Sequence, residues 1–266
     1  MNYLGLHHYI GPVPPVRRMM ATDLLREHPI DTGEWQSMDT TGSKAHWTRE
    51  LENVTHQIKV PTSVPEWAEN TSADLPWAEN HFGERVGGEP VNPPPSHVDW
   101  PYAIRGNGDH TTDDKFDHTY PERFWPKYAT DDVIPHQGIR FPYGDLQDVV
   151  NLLAKSPHTR QAYLPVWFPE DTGGHVRLGA RVPCTLGYHF MIRYGLMSCR
   201  YYIRSCDIKR HFHNDIYLAG RLLQWMAHET HRIGGLKVAP GTLTTHIGSL
   251  HTFMGDEPWL RGIIDG

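Results

Sequence analysis

Cysteine is scarce: three residues in a chain of 266, Cys184, Cys199 and Cys206, all within one short stretch. An odd number so close together does not make a disulfide framework, so free thiols in a reducing cytoplasm are expected. There is no HExxH and no paired CxxC despite 19 histidines, which leaves no support for a metal site. No apolar run approaches the roughly 18 residues of a membrane span. The opening MNYLGLHHYIGPVPPV has neither the basic start nor the apolar centre of a signal peptide. An excess of positive charge is lacking too: 25 Lys and Arg stand against 31 Asp and Glu, a net charge of −6. That excludes a nucleic-acid polyanion as the main partner, while a single phosphate held by a few local arginines stays open.

What is present divides by texture. Residues 1–60 carry two patterned pieces, RRMMATDLLREH and HWTRELENVTHQI. Residues 61–120, with PTSVPEW, NPPPSHVDWP and RGNGDHTTDD, are rich in Pro, Gly and Asn and read as a long irregular insertion on the surface. From about 144 the pattern becomes regular. Leu146, Val149, Val150 and Leu153 have helical spacing, and RQAYLPVWF reads as a strand. CTLGYHFMIRYGLMSCRYYIRS reads as two strands joined at Tyr194-Gly195. Leu186, Tyr188, Phe190 and Ile192 alternate, as do Met197, Cys199, Tyr201 and Ile203; Ser198, Arg200, Tyr202 and Arg204 take the other face. IYLAGRLLQWMAHETHRI is the best helix, and LTTHIGSLHTF a last strand. The sum is a single α+β domain with a mixed sheet packed by a long helix.

Three features carry chemistry without reference to any family. Pro183-Cys184 opens a strand after a loop with Asp171 and Gly173-Gly174, and a thiol at such a junction beside arginines can act as a nucleophile. Arg204-Ser205 offers a fork of N–H donors and a hydroxyl, which suits a phosphate. His251 lies in a strand as His-x-Phe. Singly these are a buried thiol, a surface ion pair and a structural histidine; in this order they cease to be independent.

The segments VPCTLGYHF, GLMSCRYYIRSCD, FHNDIYLA and IGSLHTF resemble the thymidylate synthase family, and the spacing from Cys184 to Asp215 matches without a gap. RQAYLPVW at 160–167 and WPKYA at 125–129 fit the preceding segments, and RELEN at 49–53 is similar to the family's helix bearing a catalytic glutamate. The resemblance is absent over 61–120. It implies a homodimer through the sheet and a nucleotide monophosphate as substrate. Cys184 would be the thiolate adding to pyrimidine C6, with 5,10-methylenetetrahydrofolate as the one-carbon donor. It assigns Arg204, Ser205 and, from the other subunit, Arg160 to the 5′-phosphate, with an N-terminal arginine near Arg18. Glu50 would handle protons near C4 and C5. Trp125 and Asp207 would face the folate, and the arginines would help ionise Cys184.

Asp215 departs from the family in an informative way. Thymidylate synthases carry asparagine here, whose amide accepts from N3–H and donates to O4 of uracil. Cytosine reverses that edge, its N3 accepting and its 4-amino group donating; a carboxylate accepts from the amine and stabilises a proton on N3 as thiol addition loads charge onto the ring. The Asn214-Asp215 pair is closer to deoxycytidylate (dCMP) 5-hydroxymethylases. Further departures are Gln161 after Arg160, His189 where glutamine is usual, and Phe253 in place of the tyrosine that grips the sugar with His251. Phe253 leaves CMP open as substrate. The ending GIIDG differs from the apolar tail that closes the methylating enzymes. The expectation is therefore dCMP 5-hydroxymethylation. The alternatives are CMP hydroxymethylation, dCMP methylation, dUMP methylation or a catalytically silent nucleotide-binding relative.

Overall fold

The computed structural model describes residues 6–35, 38–39, 42–103, 111–112, 115–126, 144–169, 171–172 and 181–265. Gly173-Gly174 and residues 127–129 of the WPKYA motif lie outside them. The strands are β1 His7–Ile10, β2 Glu34–Trp35, β3 Met38–Asp39, β4 Thr48–Lys59, β5 Thr111–Thr112, β6 Lys115–Phe116, β7 Tyr163–Pro165, β8 Thr185–Arg193, β9 Leu196–Asp207 and β10 Ala239–Phe253. The helices are α1 Val13–Leu24, α2 Val64–Thr71, α3 Trp77–Val86, α4 Tyr120–Phe124, α5 Leu146–Lys155, α6 Phe212–Gly234 and α7 Glu257–Asp265. Six strands form a mixed sheet in the order β1-β4-β10-β9-β8-β7, with β1–β4 and β9–β10 parallel.

The alternation read from the sequence decides the faces. Met197, Cys199, Tyr201 and Ile203 of β9 are buried with Tyr188, Phe190 and Ile192 of β8, in one core with Leu218 and Leu222 of α6. Ser198, Arg200 and Tyr202 remain part-exposed on the opposite face. The β8–β9 turn is at Tyr194-Gly195, both with positive φ (54° and 75°), the backbone of a tight hairpin turn. One position breaks the pattern. The register of β8 against β9 shifts between Thr185 and Gly187, an irregularity that turns Thr185 into the core and leaves Leu186 part-exposed.

Residues 61–120, expected to be irregular, fold over much of their length. α2 starts at a Ser63 cap, and Trp67 is fully buried, its indole N–H donating to the Tyr217 carbonyl of α6 at 2.9 Å. Gly220 makes this docking possible: a Cβ there would lie 2.1 Å from the Trp67 ring. α3 then presents Ala78, His81, Phe82 and Arg85 inward. Prolines and the repeated WAEN hid an i, i+3, i+4, i+7 pattern that only becomes visible once α6 supplies a surface to bury it. Among the described residues no helix is long and apolar enough to cross a membrane, and no cluster of three or more His, Cys, Asp or Glu forms a metal site.

Candidate active site

Four elements meet around Cys184. It precedes β8, and its carbonyl accepts from the backbone N–H of Arg204 on β9 at 2.8 Å. The Arg204 guanidinium donates to the carbonyls of Pro183 (3.0 Å) and Val182 (3.2 Å), strapping the segment that carries the thiol. The segment before α4 holds it from the other side: Asp117 accepts from the Arg181 N–H at 2.7 Å, and His118 Nδ1 meets the Arg181 carbonyl at 3.1 Å. Asp171 is pinned by a buried ion pair with Arg123 at 2.8 Å.

Asp215, in the first turn of α6, turns inward. Its Oδ2 accepts from the Cys206 thiol at 3.7 Å, and its charge acts on Cys184, Tyr120, Tyr188 and Tyr201. Burial pushes its carboxyl up to about 6, against the opposing pull of Arg85. Burial also pushes the Cys184 thiol up; Arg204 and Arg181 pull it down, while Asp215 adds to the rise. The arginines thus pull toward the thiolate, while desolvation outweighs them in the free protein.

A chain of hydroxyls lies beside the pair: Tyr120 meets Thr185 at 3.0 Å, and Thr185 meets Tyr201 at 2.8 Å. Thr119 and Glu122 form a capping box that starts α4 at Tyr120. Sequence reading missed Tyr120, Thr185, Tyr201, Arg181 and Arg85. For Arg85 a signal existed, an arginine on the apolar face of an amphipathic helix.

Several expected residues stand elsewhere or do other things. Glu50 lies on strand β4, not on a helix, opposite His251 of β10 in register. Burial lowers the His251 ring while Asp207 and Glu50 pull the other way, and its Nδ1 is 3.5 Å from the Ser205 hydroxyl. Both ends of the Asn214 carboxamide are taken by Asp74: Oδ1 accepts the Asp74 N–H (3.0 Å), and Nδ2 donates to Oδ2 (2.8 Å). Asn214 thus ties the α2–α3 turn to α6. Arg18 is exposed on α1, whereas Arg17 reaches the carbonyls of Ile208 (3.0 Å) and Lys209 (2.7 Å). Arg160 and His189 sit together at the β7 edge, the His189 Nε2 meeting the Arg160 carbonyl at 2.9 Å. With Tyr163, Leu186 and Tyr202 they line a cavity of about 470 Å³. Within one protomer neither belongs to the Cys184 cluster.

On the far side of the site lies an aromatic wall. Trp77 and Trp100 have ring centres 6.1 Å apart, and Trp100 stacks on His211 (5.1 Å) and meets Tyr102 edge-on (5.6 Å). Trp125 is buried and donates to the Arg85 carbonyl at 2.9 Å. Asp207 accepts from the Arg210 guanidinium (2.6 Å) and from the N–H groups of Lys209 and Arg210 (2.8 and 3.1 Å). Arg210 also lies over the rings of Tyr102 and Phe253, 5.8 and 5.5 Å from their centres.

Comparison with known proteins agrees with this arrangement. The family model described as "Thymidylate synthase" matches residues 110–256. A protein of Methanosarcina barkeri (strain Fusaro / DSM 804) named "Putative thymidylate synthase" is 27% identical over 161 residues, 60% of this chain and 63% of that protein. The "Bifunctional dihydrofolate reductase-thymidylate synthase" of Glycine max is 33% identical over 66 residues, 25% of this chain and 12% of that protein. The chain therefore spans less than two thirds of the length of these relatives. With the matched region holding the thiol, the arginine strap and the inward carboxylate, this chain belongs to the thymidylate synthase family.

Proposed function

We propose that the chain is a cytosine-nucleotide C5 one-carbon transferase, and specifically a dCMP 5-hydroxymethylase. The observation that carries this reading is the Asp215 carboxylate, turned inward beside Cys184 with, among the described residues, a single weak thiol donor on it. A part-buried acceptor so poorly satisfied selects a ligand that brings an N–H donor, and cytosine brings its 4-amino group beside N3, which takes up a proton as the thiol adds. Uracil presents O4 in place of the amine, and two acceptors would face each other.

The chemistry follows from the residues. Cys184 rests as a thiol and gives up its proton as sulfur adds to C6 of the ring, with Arg204 and Arg181 stabilising the developing thiolate. Addition loads charge onto the ring, which Asp215 answers by holding the proton on N3; C5 becomes an enamine-like nucleophile. Bound 5,10-methylenetetrahydrofolate would supply the one-carbon unit. The wall fits such a flat heterocycle: Trp100 Nε1 and Trp77 Nε1 are buried donors without an acceptor among the described residues. Asp207, with three side-chain hydrogen bonds accepted among the described residues, keeps about one of its roughly four acceptor positions toward them. Glu50 and His251, paired across β4 and β10, would take the proton lost from C5; water would add to the exocyclic methylene and the sulfur would leave C6, while Arg204 with Ser205 would take the phosphate. The part-exposed sheet face is the proposed homodimer interface, through which Arg160 would reach the phosphate of the partner. The free thiols suit a reducing, cytoplasmic setting.

A second reading, CMP as substrate, is favoured by Phe253. It is buried, lies 5.7 Å from the His251 ring, and offers no hydroxyl to a deoxyribose. Incubation of dCMP, CMP and dUMP with methylenetetrahydrofolate, followed by mass spectrometry, tests both readings and separates a hydroxymethyl from a methyl product. Turnover of dUMP with none of dCMP or CMP would end the cytosine reading.

A further inference from the structure

One imidazole at the site has no task in the chemistry above. His211 holds the N-cap position of α6, yet its side chain makes no capping hydrogen bond. The preferred N-caps are Ser, Thr, Asp and Asn, whose short side chains reach the free N–H groups of the first turn. Here the ring turns away and stacks on Trp100, with ring centres 5.1 Å apart. Among the described residues neither ring nitrogen has a hydrogen-bond partner, and the residue is part-exposed. A histidine kept for structure ordinarily spends at least one nitrogen on the protein, as His56, His81 and His213 do.

Its place in the chain fixes what it faces. The His211 N–H donates to the Asp207 carbonyl at 3.0 Å, and the His211 carbonyl accepts from the Asp215 N–H at 2.8 Å. Residues four apart share a helix face with Cβ atoms about 5–6 Å apart, so His211 lies one turn before Asp215. Asp215 reads the 4-amino group, C5 adjoins C4 on the pyrimidine ring, and the one-carbon donor lies along the Trp100 wall. A carbon passing from donor to C5 therefore crosses between Asp215 and Trp100, where the His211 ring stands. Asp207, the other acceptor on this side, already takes hydrogen bonds from Arg210 and from the Lys209 N–H. Desolvation holds the His211 ring below the ordinary histidine value despite the pull of Asp207, so at neutral pH it is an unprotonated acceptor.

We propose that His211 is the catalytic base for water capture: it takes a proton from the water whose oxygen bonds to the exocyclic methylene on C5. A C–O bond forms at the methylene, the electron pair of its double bond moves into the ring, and one water proton passes to a His211 nitrogen. The sulfur then leaves C6 with its bonding pair, the C5–C6 double bond is restored, and the imidazolium returns its proton to solvent. This inference rests on the hydroxymethylation reading given above and names the group that activates the water.

The test compares tritium released from C5 with 5-hydroxymethyl-dCMP formed, using the intact enzyme, dCMP and methylenetetrahydrofolate. Tritium counts condensation and the hydroxymethyl product counts water capture. Added β-mercaptoethanol traps uncaptured methylene as a thioether, read by mass spectrometry. General bases contribute about 10²–10⁴-fold, so His211→Ala should lower hydroxymethyl product per tritium by about 100-fold or more. Thioether should take its place, and free imidazole should restore part of the loss. His211→Asn puts a preferred cap on α6, so it should melt no lower than the wild type and still show the shift, which a merely structural role would not produce. Calorimetry without folate gives a second readout: the wild type should hold 5-hydroxymethyl-dCMP about fivefold tighter than dCMP, one hydrogen bond's worth, and His211→Ala should lose that difference. Unchanged product per tritium in either folded variant overturns the proposal. A wild type that binds the two nucleotides equally overturns it without any variant. A wild type that forms no hydroxymethyl nucleotide refutes the proposed function, and this inference with it.

Discussion

Replacing Asp215 with asparagine changes the pocket by one donor, and its consequence can be worked from the structure. Among the described residues the carboxylate has one side-chain partner, the Cys206 thiol at 3.7 Å, and no stronger one to take over a mismatch. Against cytosine the new amide would face the 4-amino group donor to donor, or, flipped, its N–H₂ would face a protonated N3. Either orientation leaves one mismatched contact, worth about 1–3 kcal/mol. At about 1.4 kcal/mol per tenfold, that is a loss of roughly 5-fold to 100-fold in kcat/KM for dCMP. The same amide matches uracil, so dUMP turnover should rise or appear. Steady-state kinetics on both nucleotides, with the C5 proton followed by tritium release, measures both arms. An unchanged dCMP-to-dUMP ratio would show that Asp215 does not read the base.

Other expectations follow from the same geometry. Cys184→Ala should abolish both turnover and tritium exchange at C5; surviving exchange would remove the thiol mechanism. Because burial raises that thiol, its alkylation in the free protein should stay slow at neutral pH and titrate above an ordinary cysteine. Asp215 should weaken the fold at high pH. Its folded value of about 6 lies above the ordinary value of 3.8, so the stability from its protonated form is full below the latter and lost as pH rises through the former. Asp215→Asn should therefore melt higher than the wild type at pH 8, by an amount on the order of 2 kcal/mol. A lower melting temperature there would contradict the desolvation argument. Gly220→Ala drives a methyl into the Trp67 ring and should destabilise the protein by about 1–3 kcal/mol in urea unfolding, with Trp67→Phe partly relieving it.

Local pattern carried much of the fold. The period-two runs of β8 and β9, the turn at Tyr194-Gly195, the helical spacing of 146–153 and the long run of α6 are each decided within a few residues, and the core faces follow from them. The spacing of Cys184, Arg204 and Asp215 was likewise legible, because strand and helix geometry convert such spacing into position. Glu50 was misread because RELEN has no decisive periodicity; pairing with β10 makes it strand. The tie between Asn214 and Asp74 was not legible because the two are distant in sequence.

The sequence by itself determined the order of elements, their buried faces and the residue types brought to the nucleophile. Only the tertiary structure decided the protonation of those groups, since burial raised both Cys184 and Asp215 against nearby arginines, and the balance depends on how much water packing removes. It also decided that a proline-rich stretch becomes helix, because α2 and α3 gain their stability from the surface of α6. Through that docking Arg85 arrives against the Tyr120 ring, a neighbour that no spacing along the chain encodes.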